Sequence, residues 1–139
     1  MRQAAKILDH PLVHRLLDFD QPLAALVISI PHFVPDEEAL AAVRSLRDAL
    51  APGSYLALTH AGADTLPAEA REKLQRFWES TRNPMFFHSS SQLAEFFEGL
   101  TLVEPGLVHI PLWRPDSPED LLFDQPERTS GYAGVGRSA

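Results

Sequence analysis

The chain has six histidines and no cysteine, so its side-chain chemistry rests on imidazoles, carboxylates and hydroxyls. His32 and His60 stand out by position. Each closes an apolar run of strand length: PLAALVISI over residues 22–30, and a second run from Ser54 to Thr59. In open parallel sheets ligands bind beyond the carboxyl ends of the strands. The segments Ser29 to Phe33 and Thr59 to Asp64 are therefore where a site is expected. If the two strands are adjacent and parallel, both rings lie on one edge of the sheet. An imidazole exchanges a proton near neutral pH and suits a general base. This makes His32 and His60 the catalytic candidates. The alternative for His32 is a strand-end cap or a pocket wall. Phe86 and Phe87, in a loop after Pro84, are candidates for a substrate pocket.

The remaining groups point to less. His10 and His14 stand at i, i+4 and could share a metal, but Pro11 places His10 at a helix cap and no third ligand is evident, so no metal site is expected. His88 and His109 have no partner in sequence. The string Gly131-Tyr132-Ala133-Gly134-Val135-Gly136 resembles a phosphate loop only in composition, since such a loop needs a strand before it and a helix after it. The lack of cysteine excludes disulfides, thiolate zinc sites and thiol nucleophiles. A net charge of −7, from 19 acidic and 12 basic residues, gives no electrostatic reason to approach nucleic acid or an anionic membrane. There is no signal-like apolar segment and no run of about 18 apolar residues, and the expected compartment is the cytoplasm. With 45% hydrophobic residues, the chain can fill the core of one globular unit spanning residues 1–139.

The elements that must hold these groups follow from periodicity. Pro11 suits the first position of a short helix carrying Leu12, Val13, Leu16 and Leu17. The unbroken apolar run Pro22 to Ile30 predicts a strand covered on both faces, as inside a parallel sheet. A helix is expected from Pro35-Asp36, with Asp36 as N-cap, Glu37 and Glu38 in the first turn, and Leu40, Val43, Leu46 and Leu50 on its buried face. Ala51-Pro52-Gly53 stops it before the second strand. Pro67 opens a further helix with the apolar stripe Ala70, Leu74, Phe77 and Trp78, whose helical spacing favours core. Ser89 and Gln92 have capping-box spacing ahead of Leu93, Phe96 and Phe97. Leu100 to Val103 and Leu107 to Ile110 read as short strands leading to a final antiparallel ribbon. Alternation of strand and helix gives an α/β protein.

The ordered motifs carry a resemblance. Residues 17–61, LDFDQPLAALVISIPHFVPDEEALAAVRSLRDALAPGSYLALTHA, resemble the part of class I S-adenosylmethionine-dependent methyltransferases that runs from the fourth strand through the following loop and helix to the fifth strand. SQLAEFFEGL at 91–100, LVEPGLV at 102–108, Trp113-Arg114-Pro115 and the closing Gly134-Val135-Gly136-Arg137 are similar to a bacterial subfamily of these enzymes.

The resemblance implies a partial Rossmann-like fold, corresponding to the C-terminal half of the methyltransferase domain. It also implies S-adenosyl-L-methionine as cofactor, with Ser29, Ile30, Pro31, His32 and Phe33 as the cofactor-binding segment and a small-molecule methyl acceptor. The family's glycine-rich turn and ribose-binding acid belong to strands that precede the matched region. Two expectations follow. The chain by itself binds the cofactor weakly, and the free edge of the first strand, with no charged residue between Pro22 and Val34, pairs with a missing N-terminal half or a second copy in a homodimer. The alternative is a non-catalytic half-domain that acts as an interaction module.

Overall fold

The computed structural model describes residues 4–62, 64 and 66–139. Ala63, within the second of the two strand-end segments, lies outside them. Two short helices, α1 (Ala4–Leu8) and α2 (Pro11–Leu16), precede strand β1 (Ala24–Ile28). Helix α3 (Asp36–Asp48), strand β2 (Tyr55–Ala61), helix α4 (Ala68–Glu79) and the short α5 (Ser90–Ala94) follow. Strands β3 (Thr101–Leu102), β4 (Val108–His109) and β5 (Gly131–Arg137) complete the order. The sheet runs β1-β2-β5-β3, with β4 also pairing with β5. No helix among the described residues is long and apolar enough to cross a membrane.

The first crossover is as expected. β1 and β2 pair in parallel, Ala24 opposite Tyr55 through Ile28 opposite Thr59. Their starts are tied by Leu23 N–H to Ser54 Oγ at 3.0 Å and Tyr55 N–H to Leu23 O at 2.8 Å. The strand is shorter than the apolar run because Ser29 turns into the left-handed region at φ 54°, which takes the chain off the ladder. α3 buries Ala39, Ala42 and Val43, and Leu40, Leu46 and Leu50 pack at the margin of the core. That core joins Val27, Leu56 and Leu58 of the sheet to Val43 of α3 and to Leu93, Phe96 and Phe97 beyond β2. Its apolar burial, worth about 1.5–3 kcal/mol for each large side chain, sets which sheet face points inward.

Several expectations are corrected. β1 is covered on one face only: Val27 is buried in the core with Val43 of α3, whereas Leu26 is 68% exposed and Ile28 is 47% exposed on the opposite face. Pro35, extended at ψ 144°, is the N-cap of α3, and Asp36 is its first helical residue. α4 forms where its spacing predicts but buries no residue, and Phe77 is 60% exposed, so its apolar stripe is not core. Leu12, Leu16 and Leu17 are likewise exposed. His10 does cap α2, accepting from Leu12 N–H at 3.2 Å, and Ser89 with Gln92 does form the capping box of α5.

The closing segment is antiparallel, but as more than a terminal ribbon. β5 inserts between β2 and β3 and spans β2 from Tyr55 opposite Arg137 to Ala61 opposite Gly131. Its glycines are required by packing. A Cβ on Gly134 would lie 2.9 Å from Phe97 Cζ, and one on Gly136 would lie 2.8 Å from Leu100 Cβ. The string is a smooth strand face for Phe97 and Leu100 to lie against and has no room for a phosphate.

Candidate functional site

The carboxyl ends of β1 and β2 bring the expected residues together. After Ile28 the chain turns at Ser29, whose N–H donates to Thr59 Oγ1 at 2.8 Å. A short 3-10 turn, Pro31–Phe33, then delivers His32 inward. His32 and His60 lie edge to face with ring centroids 5.3 Å apart. Adjacent parallel strands produce this meeting, because each histidine closes its own strand at the same sheet edge. Within the segment Ser29 to Phe33, Pro31 and His32 are buried, while Ser29, Ile30 and Phe33 are exposed. Phe33 stands against Trp78 of α4 at 6.3 Å and does not enter the core.

A third imidazole joins them. His88 lies 4.6 Å from His60, ring to ring, and its Nε2 donates to Asp36 Oδ1 at 3.1 Å. Its backbone bridges to Gly62 beside the end of β2. No spacing rule links residues 32, 60 and 88. The capping box that fixes α5 directly after His88 was the one local signal that this loop is held in place. Gly62 is required here too, since a Cβ would lie 2.3 Å from Tyr132 Cε2. His109, without a partner in sequence, stacks on Tyr132 at 4.5 Å.

Hydrogen bonds assign the tautomers. His60 Nδ1 lies 2.7 Å from Ala61 O, and a carbonyl only accepts, so Nδ1 carries the proton and Nε2 has the lone pair. That Nε2 is buried without a partner among the described residues, as is His88 Nδ1. Burial pushes the His60 ring down to about 4, helped by the neighbouring His88 and His32 against the opposing pull of Ala61 O and Asp36. His60 is therefore neutral at pH 7. Burial also lowers His32. The N–H of Ala61 points at His32 Nδ1 at a long 3.4 Å, which leaves Nδ1 as acceptor and puts the proton on Nε2. No group of three or more metal-binding side chains occurs among the described residues.

A carboxylate braces the same edge from the other side. Asp64 Oδ2 accepts from Ser90 N–H at 2.7 Å and from Tyr132 O–H at 3.1 Å. Burial would raise this carboxyl, but the hydrogen bonds from Ser90 and Tyr132 outweigh it and hold the group below its ordinary value. The result joins the end of β2, the start of α5 and β5 at one point.

This parallel pair, with its crossover helix, its antiparallel β5 and its site at the carboxyl edge, has known relatives. Residues 1–139 match the family described as S-adenosyl methyltransferase. The chain belongs to that family.

As an S-adenosyl methyltransferase family member, it is similar to the crystal structure of a candidate methyltransferase from Thermobifida fusca YX, with TM-score 0.86 and 37% identity over 99% of this chain and 51% of that one. It is equally similar to a DUF574 family protein from Streptomyces avermitilis, with TM-score 0.87 and 37% identity over 99% of this chain and 52% of that one. PigF, solved with SAH, shares the fold at TM-score 0.50 and 14% identity, over 86% of this chain and 32% of PigF. No curated protein matches the chain in sequence. The chain thus spans about half the length of the two 37%-identical structures, and the sheet order with a free β1 edge is that of a partial Rossmann-like methyltransferase fold.

Proposed function

We propose that this chain supplies the C-terminal half of an S-adenosylmethionine-dependent methyltransferase, acting in the cytoplasm on a small-molecule acceptor. The carboxyl edge of β1 forms one wall of the reaction site. The observation that carries the reading is the arrangement at that edge: a left-handed Ser29, exposed Ile30 and Phe33, and a buried His32 locked beneath them. The apolar Ile30 and Phe33 fit an adenosyl group, and the left-handed turn at Ser29 leaves backbone at the strand end for polar contacts. These residues fit one side of the cofactor. Among the described residues no glycine-rich turn joins a strand to a helix, so the other side of the cofactor is met by residues beyond those described.

Bound S-adenosylmethionine supplies an already activated methyl group, and the protein's task is alignment and exclusion of water. In this reading Ser29, Ile30 and Phe33 contact the cofactor, and Pro31 and His32 set their position. With its proton on Nε2, His32 is suited to donate a hydrogen bond, and it serves as base only after tautomer exchange. His60 is neutral and enclosed, and it positions His32 and His88. PigF, of the same fold, is solved with SAH, which supports the cofactor assignment.

A second reading, a non-catalytic half-domain that assembles through its edge, is favoured by the exposed Leu26, Ile28 and Ile30 on and just beyond β1. Calorimetric titration with S-adenosylhomocysteine separates the two. The expected result is little or no binding by the chain alone, and saturable binding once the N-terminal half of a relative is added. Each missing charge-assisted hydrogen bond is worth about 1.5–3 kcal/mol, which is one to two decades of affinity. Tight binding by the chain alone, or none after completion, would overturn the proposal.

A further inference from the structure

Beside the edge lies a cleft of about 220 Å³ between α4 and the segment leading to His88, with Asp36, Arg71 and Glu79 on its polar side and Met85, Phe86 and Phe87 on the other. Its walls are anchored to the proposed site. Phe86 N–H donates to His32 O at 2.8 Å, and Asp36 holds His88. The aromatic pair suggested by sequence as pocket residues therefore does line a cavity.

The charges are unequal in what they leave available. Arg71 is turned to Leu66 and Asp64: its Nη2 donates to Leu66 O at 3.3 Å, and its charge acts on Asp64. Asp36 uses Oδ1 for His88 and keeps a side chain that is 53% exposed. Glu79 uses Oε1 for Gln75 at 2.9 Å. Each carboxylate retains a second oxygen with further lone pairs. Two carboxylates against one guanidinium, beside Phe86 and Phe87, leave the lining net negative and favour a positively charged ligand with an apolar body. A cation over an aromatic face adds to the charge pairing.

We infer that this cleft holds the methyl acceptor by an ammonium group on an aromatic or aliphatic body, the ammonium staying protonated as an anchor and the methyl going to a different atom of the ligand. The inference rests on the methyltransferase reading for the word acceptor; the binding preference itself stands on the cleft.

The chain contains two methionines, Met1 and Met85, and Met85 lines the cleft, so methyl-labelled methionine gives a direct nuclear magnetic resonance readout on the full chain. Phenethylamine and 3-phenylpropionate serve as probes of opposite charge and similar body. Phenethylamine should shift the Met85 methyl signal saturably, with at least about tenfold higher affinity than 3-phenylpropionate, the size of one charge-assisted contact. Glu79→Gln should weaken the amine about fivefold or more, while Glu69→Gln, on the same helix and paired with Lys73, should leave it unchanged. Equal or stronger binding of the carboxylate, no shift with the amine, or indifference to Glu79→Gln would overturn the inference. Failure here with S-adenosylhomocysteine still bound by the completed protein rejects the amine site alone. Amine binding without cofactor binding rejects the methyltransferase reading and leaves the site.

Discussion

His60 combines the physical features that make a buried residue measurable. It is 2% exposed, donates from Nδ1 to Ala61 O, and is pushed down to about 4 by burial, against an ordinary value near 6.5. Between those values the unfolded chain binds a proton that the folded chain refuses. Stability from this residue is therefore full above about pH 6.5 and is lost as pH falls toward 4, up to about 3 kcal/mol. His60→Gln should flatten the pH dependence of urea unfolding across that window. An unchanged slope would mean that the ring is not held neutral. The neighbouring charges that enter this balance are His32, His88 and Asp36, so the variant should be compared with His32→Gln in the same series.

Among the elements, α5 shows how a five-residue helix is held. It is too short to stand by propensity. Ser89 Oγ accepts from Gln92 N–H at 3.3 Å, and Ser89 N–H donates to Gln92 Oε1 at 2.9 Å. Asp64 takes the next free donor, Ser90 N–H. The cap fixes Leu93 in the core and His88 against Asp36 and His60. Ser89→Ala should cost about 1 kcal/mol by chemical unfolding and should loosen the 84–88 segment, seen as faster amide exchange at Phe86. No loss of stability would show that Asp64 alone suffices. The capping spacing of Ser89 and Gln92 makes this element legible before folding is considered. α4 misled because an amphipathic stripe reports only that one face is apolar, and what covers that face is a property of its surroundings.

On the scale of the molecule, β1 has one edge unpaired among the described residues. Val27 points into the core at 4% exposure, while Leu26 faces out at 68%. A charge placed at 26 therefore probes association without burying itself. If the edge pairs with a second copy or with the other half of a methyltransferase, Leu26→Lys should reduce concentration-dependent association in sedimentation, or weaken capture of the added half, with little change in the chain's own unfolding. A monomer at every concentration whose binding of the added half is indifferent to Leu26→Lys would exclude this face from assembly. α1 packs on α3, and with Leu23 to Ala25 it lines an apolar groove of about 270 Å³ that includes Leu8, Val13, Phe19, Leu46 and Leu50. The apolar surface thus continues from the strand edge beneath the N-terminal helices.

By itself the sequence determined the α/β class, the positions of β1, α3, β2 and α4, and the placing of His32 and His60 at one sheet edge. Each of these depends on local periodicity, caps and the rule that parallel strands end together. It could not determine that β5 lies between β2 and β3, that Leu26 remains open while Val27 is buried, or that His88 and Asp36 complete the cluster around His60. Those outcomes depend on which distant segments meet. Gly134 and Gly136 carry no ligand signal until Phe97 and Leu100 are seen lying on them, and His88 has no partner until β2 and α3 converge. Burial and pairing are relations between elements, and only the tertiary structure supplies the second member of each pair.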